Sequence, residues 1–306
     1  MSKGTPGIRI EELKRRFHTD QGHWPNLEEP RTIQEKVLWR KLNEDMSDAV
    51  RQADKVAVRD YVRDTVGGGY LVEALAIVEE AAALDFDILP DSFILKINHT
   101  SGTNLVVEDR SRMDVESVRR YLGTLMRLRH GRRLGEHWYG AMEPRILVEH
   151  LMRDQEYGIP LEFRFHVFHG KAEFVQVVSC RRLASEVFDT VALPAGCSFV
   201  DGGPGRHTAY TLDWEIAPFQ ERNSLPAYPA LRRPPARADE MRAVAEKLAG
   251  DWGYVRIDLC CPDDREVYFG EMTFAHNAGY FGFIPRSYDE YFGRLWDIRR
   301  RYVRTR

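Results

Sequence analysis

The sequence predicts an α+β chain, and three strand pairs predict it. Phe93-Ile94-Leu95-Lys96-Ile97-Asn98 and Leu105-Val106-Val107 are two apolar runs flanking a polar loop that contains glycine, as in a hairpin. EFRFHVFHG and AEFVQVV, opening just beyond Pro160 and turning at Gly170, make a second pair. Tyr254–Leu259 and Val267–Thr273, separated by a turn at Pro262 to Arg265, make a third. Helical patterns stand between the pairs, the order expected of α+β.

Taken in order, TIQEKVLWRKLN from Thr32 to Asn43 places Ile33, Val37 and Leu38 on one side of a helix. A second helix is expected from Asp54, whose carboxylate can cap it, to about Thr65. Gly67-Gly68-Gly69 follows that helix instead of opening one, so it reads as a stop and not as a phosphate loop. YLVEALAIVE beyond it reads as a strand. A helix is expected from Asp114 to about His130, and Arg145-Ile146-Leu147-Val148-Glu149 as a buried strand. From about Cys180 to Pro235 the chain is rich in Gly, Pro and Arg and weakly patterned; loops of that length usually carry function or move. Helices close the chain at Asp239–Leu248 and from Tyr288 to about Tyr302, the arginines from Arg299 onward suiting a helix C-terminus.

A length of 306 residues suggests two packed units and ample core. With 47 acids against 44 bases the net charge is −3, which argues against a general nucleic-acid binder. No run of about 18 apolar residues is present to span a membrane. Met1 to Arg9 lacks an apolar signal core, and four cysteines are too few for a disulfide scaffold. A cytoplasmic protein is the expectation. Cys260 and Cys261, adjacent on a strand, face opposite ways and read as buried small residues.

Two constellations carry chemistry. Only 8 of the 44 basic residues are Lys, and Lys96 stands in an apolar strand that offers no acid. A ligand phosphate would partner it, with the backbone N–H groups of His99-Thr100-Ser101-Gly102-Thr103-Asn104 closing over the phosphate. On the C-terminal strands, Arg256 and Asp258 share a face by the period of two, as do Glu271 and Thr273. Antiparallel pairing can bring Asp258 and Glu271 together as two hard oxygen ligands for Mg²⁺. The other reading of that pair is two surface carboxylates, each salt-bridged to an arginine.

The order of these pieces resembles the ATP-grasp superfamily, and the local wording its TupA-like branch. KVLWRKLNED, ADKVAVRDYV, FILKINHTSGTNLVV, EHWYGAMEPRILVEHLM, EFRFHVFHGKAEFVQV, WGYVRIDL and VYFGEMTF carry the resemblance, from about residue 36 to 274. It implies that Lys55 and Lys96 hold ATP phosphates, that His99 to Asn104 (with Ser101, Gly102 and Thr103) form the covering loop, and that Glu149, His150 and Leu151 form the adenine hinge. It further implies Glu162 on the ribose, Asp258 and Glu271 on Mg²⁺, and Arg256 on the transferring phosphoryl group. Thr273 stands where the superfamily usually has an Asn ligand, as in the TupA-like branch. Asn277, in the loop FAHNAGY, could restore that ligand, or His276 could meet the acceptor substrate.

The implied architecture is an ATP-grasp fold with a small lid and a larger C-terminal core: residues 1–85 with the first lysine, 86–150 as lid, 151–306 as core with the metal site. The region before Asp54 is short for the substrate-binding domain that often precedes this fold, so a partner protein or large acceptor is expected to supply that surface. The implied activity is ATP- and Mg²⁺-dependent carboxylate–amine ligation through an acyl phosphate. An amino acid and a uronic acid, or a carbohydrate or peptide acceptor, are the partners suggested by the branch's association with surface polysaccharide. The alternatives are a kinase acting on a sugar or small-molecule hydroxyl, and a non-catalytic nucleotide-binding module.

Overall fold

In the computed structural model the described residues are 10–178, 182–184, 193–201, 207–222, 231 and 233–300. Two antiparallel sheets dominate them. The first has β1 (Ala74–Val78), β2 (Phe93–Ile97), β3 (Leu105–Val107), β4 (Ile146–His150), β7 (Arg182–Ala184) and β8 (Cys197–Asp201), in the order β1-β4-β2-β3-β8-β7. The second has β5 (Glu162–Phe168), β6 (Lys171–Val178), β9 (His207–Tyr210), β11 (Tyr254–Cys260) and β12 (Tyr268–Thr273), in the order β12-β11-β5-β6-β9. A short ribbon pairs β10 (Gln220–Glu221) with β13 (Phe283–Ile284). The first sheet thus draws strands from both sides of the segment 86–150 that was expected to form a lid.

The helices are α1 (Ile10–Gln21), α2 (Ile33–Asn43), α3 (Ser47–Ala53), α4 (Val58–Thr65), α5 (Val115–Met126), α6 (Ala238–Ala249) and α7 (Ser287–Leu295). The helix expected from Asp54 begins four residues later, at Val58. Asp54 instead closes a turn between α3 and α4, its Oδ1 accepting from the N–H groups of Val56 and Ala57 at 2.8 and 3.0 Å. Lys55 therefore lies in that turn. Of the arginine run at the C-terminus, residues 301–306 lie outside the described residues, as do Cys180 and, within 180–235, residues 181, 185–192, 202–206, 223–230 and 232.

Each sheet packs one alternating set of apolar side chains against its helix. Leu95, Ile97, Leu105, Val107, Ile146 and Val148 pack with Val118, Leu122 and Leu125 of α5. Phe163, Phe165, Val167, Val255, Ile257 and Leu259 join Met241, Ala245 and Leu248 of α6 in the larger core. At about 25 cal/mol per Å² of apolar surface, such continuous burial is the main term holding each sheet to its helix.

Helix α2 ties the C-terminal part of the chain together by an unusual means. Thr32 and Glu35 form a capping box at its start. Its cations then turn inward onto carbonyl oxygens: Lys36 Nζ donates to Gly293 and Trp296 at 2.7 and 2.5 Å, and Lys41 Nζ to Leu134 and Ala278 at 2.7 and 2.6 Å. Arg40 Nη1 donates to the carbonyls of Tyr254 and Phe274 at 2.7 and 3.0 Å, with its guanidinium 4.1 Å from the Trp296 ring centre. Close approach of α7 requires Gly293, where a Cβ would fall 1.8 Å from the Arg31 carbonyl oxygen. Arg40→Met would strip a partner from two buried carbonyls and should cost about 3 kcal/mol, read from urea unfolding. A loss below about 1 kcal/mol would mean that these carbonyls find other donors.

Beside Lys41 lies the buried carboxyl of Glu136. Burial lowers the Lys41 ammonium to about 8 and raises Glu136 to about 7, each partly countered by the other. A raised acid holds a proton in the folded chain that the unfolded chain has already lost, so stability falls as pH rises from 4.5 to about 7. Glu136→Gln should make that fall shallower in urea midpoints taken across the window. An identical slope in the variant would refute the assignment.

Candidate functional site

Opposed residues on paired strands face the same way, so the register of the second sheet sets its polar face. Strand β11 is the middle of three: Arg256 is opposite His166 of β5 and Thr273 of β12, and Asp258 is opposite Arg164 and Glu271. Next along, Cys260 is opposite Glu162. A bulge helps to aim this set. Asp258 pairs with Glu271 but Leu259 with Phe269, so Gly270 is the extra residue. A Cβ at Gly270 would lie 3.0 Å from the Asp258 carbonyl oxygen.

The guanidinium of Arg256 is buried among these groups. Its Nε and Nη2 donate to the two oxygens of Asp258 at 2.7 and 2.5 Å, and Nη2 also to Glu271 at 3.1 Å. Nη1 donates to His276 Nδ1 at 3.0 Å. Behind His276, the Glu221 carboxylate bonds to His276 Nε2 through one oxygen and to His207 Nε2 at 2.7 Å through the other. Burial pushes Asp258 up to about 7, against the opposing pull of Arg256. Burial alone would raise Glu221, but the His276 and His207 imidazoles hold it well below the usual carboxylate range. Thr273 donates to Glu271 at 3.2 Å, fixing the carboxylate from the side. The Asn277 amide is 3.2 Å from His276 Nε2, on the His276 side of the cluster.

The first sheet supplies the facing half. Lys96 Nζ donates to Glu149 at 2.5 Å, and Arg59 of α4 takes the other Glu149 oxygen at 2.6 Å. The acid that the strand of Lys96 lacks thus comes from β4, where Leu147 and Glu149 are opposite Lys96 and Ile94. Lys55 Nζ donates to the carbonyls of Ile97, at 3.3 Å, and Thr100. Burial lowers its ammonium, while the Glu271 carboxylate opposes that shift. The turn carrying Lys55 is held by Asn98, whose amide donates to Asp54 at 2.7 Å and to the Glu143 carbonyl at 2.8 Å, and accepts from Arg145 N at 2.7 Å.

Lys55, Lys96, Asn104, Glu149, Glu162, Asp258 and Glu271 line a single cleft. Leu71, Leu147, Met152, Leu259 and Phe269 give it apolar wall. Other expected residues lie differently. His99 is buried, its Nε2 3.1 Å from the Leu128 carbonyl and its Nδ1 3.2 Å from Asn98. Ser101 and Gly102 are exposed at the loop tip, and Thr103 bonds Thr100 at 2.5 Å. His150 points out to Glu73 at 3.5 Å, and Leu151 is half-buried. The sequence pattern assigns no role to Arg59, Arg164 or Glu221, and His207, which reads as part of a solvated loop that could meet an anionic substrate, is instead buried against Glu221. Arg164 is within reach of that pattern: it alternates with Glu162, to which it donates at 2.5 Å, and lies 3.8 Å from Asp258.

Two carboxylates on one face suit a hard divalent cation, with phosphate oxygens completing its shell. Each Asp258 oxygen keeps a lone pair beyond the one that Arg256 engages. Among the described residues no group of three His, Cys, Asp or Glu side chains converges as a metal site, so any ion there would lean on its ligand's oxygens. No described helix is long and apolar enough to cross a membrane.

Among solved structures, the ATP-grasp ligase PsnB complexed with minimal precursor aligns over 76% of this chain and 54% of its own, at 14% identity and a TM-score of 0.38. D-alanine–D-alanine ligase from Bacillus anthracis aligns over 73% and 56%, at 18% identity and a TM-score of 0.37. The chain therefore spans little more than half the length of either. No curated protein sequence matches it. The profile of the TupA-like ATP-grasp family matches residues 35–187 and 205–296, most of the chain, which therefore belongs to that family and has its ATP-grasp fold.

Proposed function

We propose that the chain is an ATP- and Mg²⁺-dependent carboxylate–amine ligase. One observation carries the reading: two lysines from one sheet region and two acids from the other line one cleft, with Arg256 bonded to both acids. Lys55 and Lys96 would draw phosphate oxygens as compact charges, and the apolar wall of Leu71, Leu147, Met152, Leu259 and Phe269 would take the adenine. Glu162 would accept from the ribose hydroxyls. Asp258 and Glu271 would hold Mg²⁺, which neutralises charge on the phosphates when bound. Arg256, already beside both acids, would steady the phosphoryl group as it transfers.

In this reading a substrate carboxylate attacks the γ-phosphorus, giving an acyl phosphate and ADP. An amine then displaces phosphate and leaves an amide. The protein positions and neutralises; little covalent work is asked of it. Amino acids with uronic acids, which the resemblance implies, are the first pairs to offer.

ATP turnover with Mg²⁺, pooled amino acids, uronic acids and amines, and hydroxylamine as a trap tests this. ADP with hydroxamate supports the ligase; ADP with a phosphorylated hydroxyl acceptor and no hydroxamate replaces it with a kinase. Glu271→Gln should lower turnover by about 100-fold while leaving the melting temperature near that of the parent. Full activity across a Mg²⁺ titration would remove Glu271 from the metal. Gly270→Val should push β12 away from the Asp258 carbonyl and lower turnover at least about tenfold, since small misplacements of reacting groups are costly. Unchanged turnover would show that the bulge does not aim Glu271.

A further inference from the structure

We infer that Glu221 is a positioning residue for Arg256, acting through the tautomer of His276. The inference rests on the role proposed above for Arg256. A guanidinium has donors and no acceptor, so the His276 Nδ1 that Arg256 Nη1 meets at 3.0 Å must be bare. The proton of a neutral imidazole then sits on Nε2, the nitrogen facing Glu221, whose closer, charged contact outweighs the Asn277 amide 3.2 Å from the same nitrogen. A carboxylate only accepts, and this one is buried, so it selects that tautomer. His207 secures the second Glu221 oxygen at 2.7 Å.

This arrangement matters most when the cleft is loaded. Three of the Arg256 contacts go to Asp258 and Glu271, the acids proposed to hold Mg²⁺. A cation arriving there competes for those oxygens and repels the guanidinium. The contact to His276 involves neither Asp258 nor Glu271, so it does not compete with a cation for those oxygens and keeps Nη1 in place. With the opposite tautomer, His276 would present N–H to N–H and drive Arg256 away. Glu221 and His276 are 55 positions apart in the chain and reach one another because β10 pairs with β13 beside the His276 loop.

The test uses Mg²⁺-ADP titrations with and without aluminium fluoride, a planar mimic of the transferring phosphoryl group. The parent protein should bind ADP more tightly when aluminium fluoride is present, and Arg256→Lys should abolish that gain. Glu221→Gln offers an amide donor to Nε2, permits the wrong tautomer, and should cut the gain at least tenfold while leaving the Kd for Mg²⁺-ADP alone unchanged. A purely structural role would shift both affinities or neither. His276→Asn keeps an acceptor near the Nδ1 position but has no tautomers, so adding Glu221→Gln to it should cost nothing further.

A full gain in Glu221→Gln, or additive losses in the double variant, overturns the inference and leaves the Arg256 reading standing. A gain that survives Arg256→Lys, or that the parent never shows, removes the role of Arg256 and the inference with it. In case Glu221→Gln does not fold, ¹⁵N NMR of the parent reads the tautomer directly. His276 must show a bare Nδ1 and a protonated Nε2; the reverse tautomer refutes the proposal.

Discussion

A guanidinium buried on an interior strand of a sheet has to be met by acceptors on every side, and Arg256 of β11 sets that demand for the second sheet. Asp258 answers along its own strand, Glu271 across the bulge and His276 from the loop after β12. The demand spreads outward, because a buried imidazole that accepts on one side must donate on the other, and Glu221 and His207 complete the chain. Removing a fully buried member of such a cluster, such as Asp258, leaves an uncompensated charge, which costs more than the pair was worth; the partly exposed Glu271 is replaced more cheaply. The functional face and the stability of β11 are therefore one problem, solved by the same residues.

Helix α2 meets a similar demand differently. Lys36, Arg40 and Lys41 are buried, yet five of their six carbonyl bonds land on loop or helix-end backbone, where orphan C=O groups need donors. The sixth lands on Tyr254, at the start of β11. One helix thus anchors α7, the loop around Leu134, the loop around Ala278 and the strand that carries Arg256. The cations of α2 hold backbone, as Lys55 does in the cleft, while Lys96 and Arg256 meet acids.

Most of the strands are legible in the sequence because their signal is local. Alternation of apolar and polar residues in EFRFHVF and YVRIDL marks both as strands and puts Arg256 and Asp258 on one face, and antiparallel pairing with YFGEMT then brings Glu271 to them. The partner of Lys96 is not legible, since Glu149 reaches it only through the β2–β4 register. The turn at Asp54 reads as a helix start because an Asx turn and an N-cap use the same carboxylate-to-amide bonds. Glu221 sits on a two-residue strand in a stretch without periodicity, so no pattern marks it. His99 shows the limit of reading a polar loop as ligand-facing: its ring turns inward to Leu128.

The interleaving of the two sheets has a consequence for synthesis. Strands β1 to β4 form one sheet, β5 and β6 the next, and the chain then returns with β7 and β8 before completing the second sheet. On the ribosome, β3 therefore emerges long before its outer neighbour, since Leu105 pairs with Phe199. Until that segment arrives, Leu105-Val106-Val107 is an apolar strand with an open hydrogen-bonding edge. A nascent chain paused between residues 110 and 195 would be at its stickiest, and the burden of keeping it unaggregated would fall on chaperones at that stage.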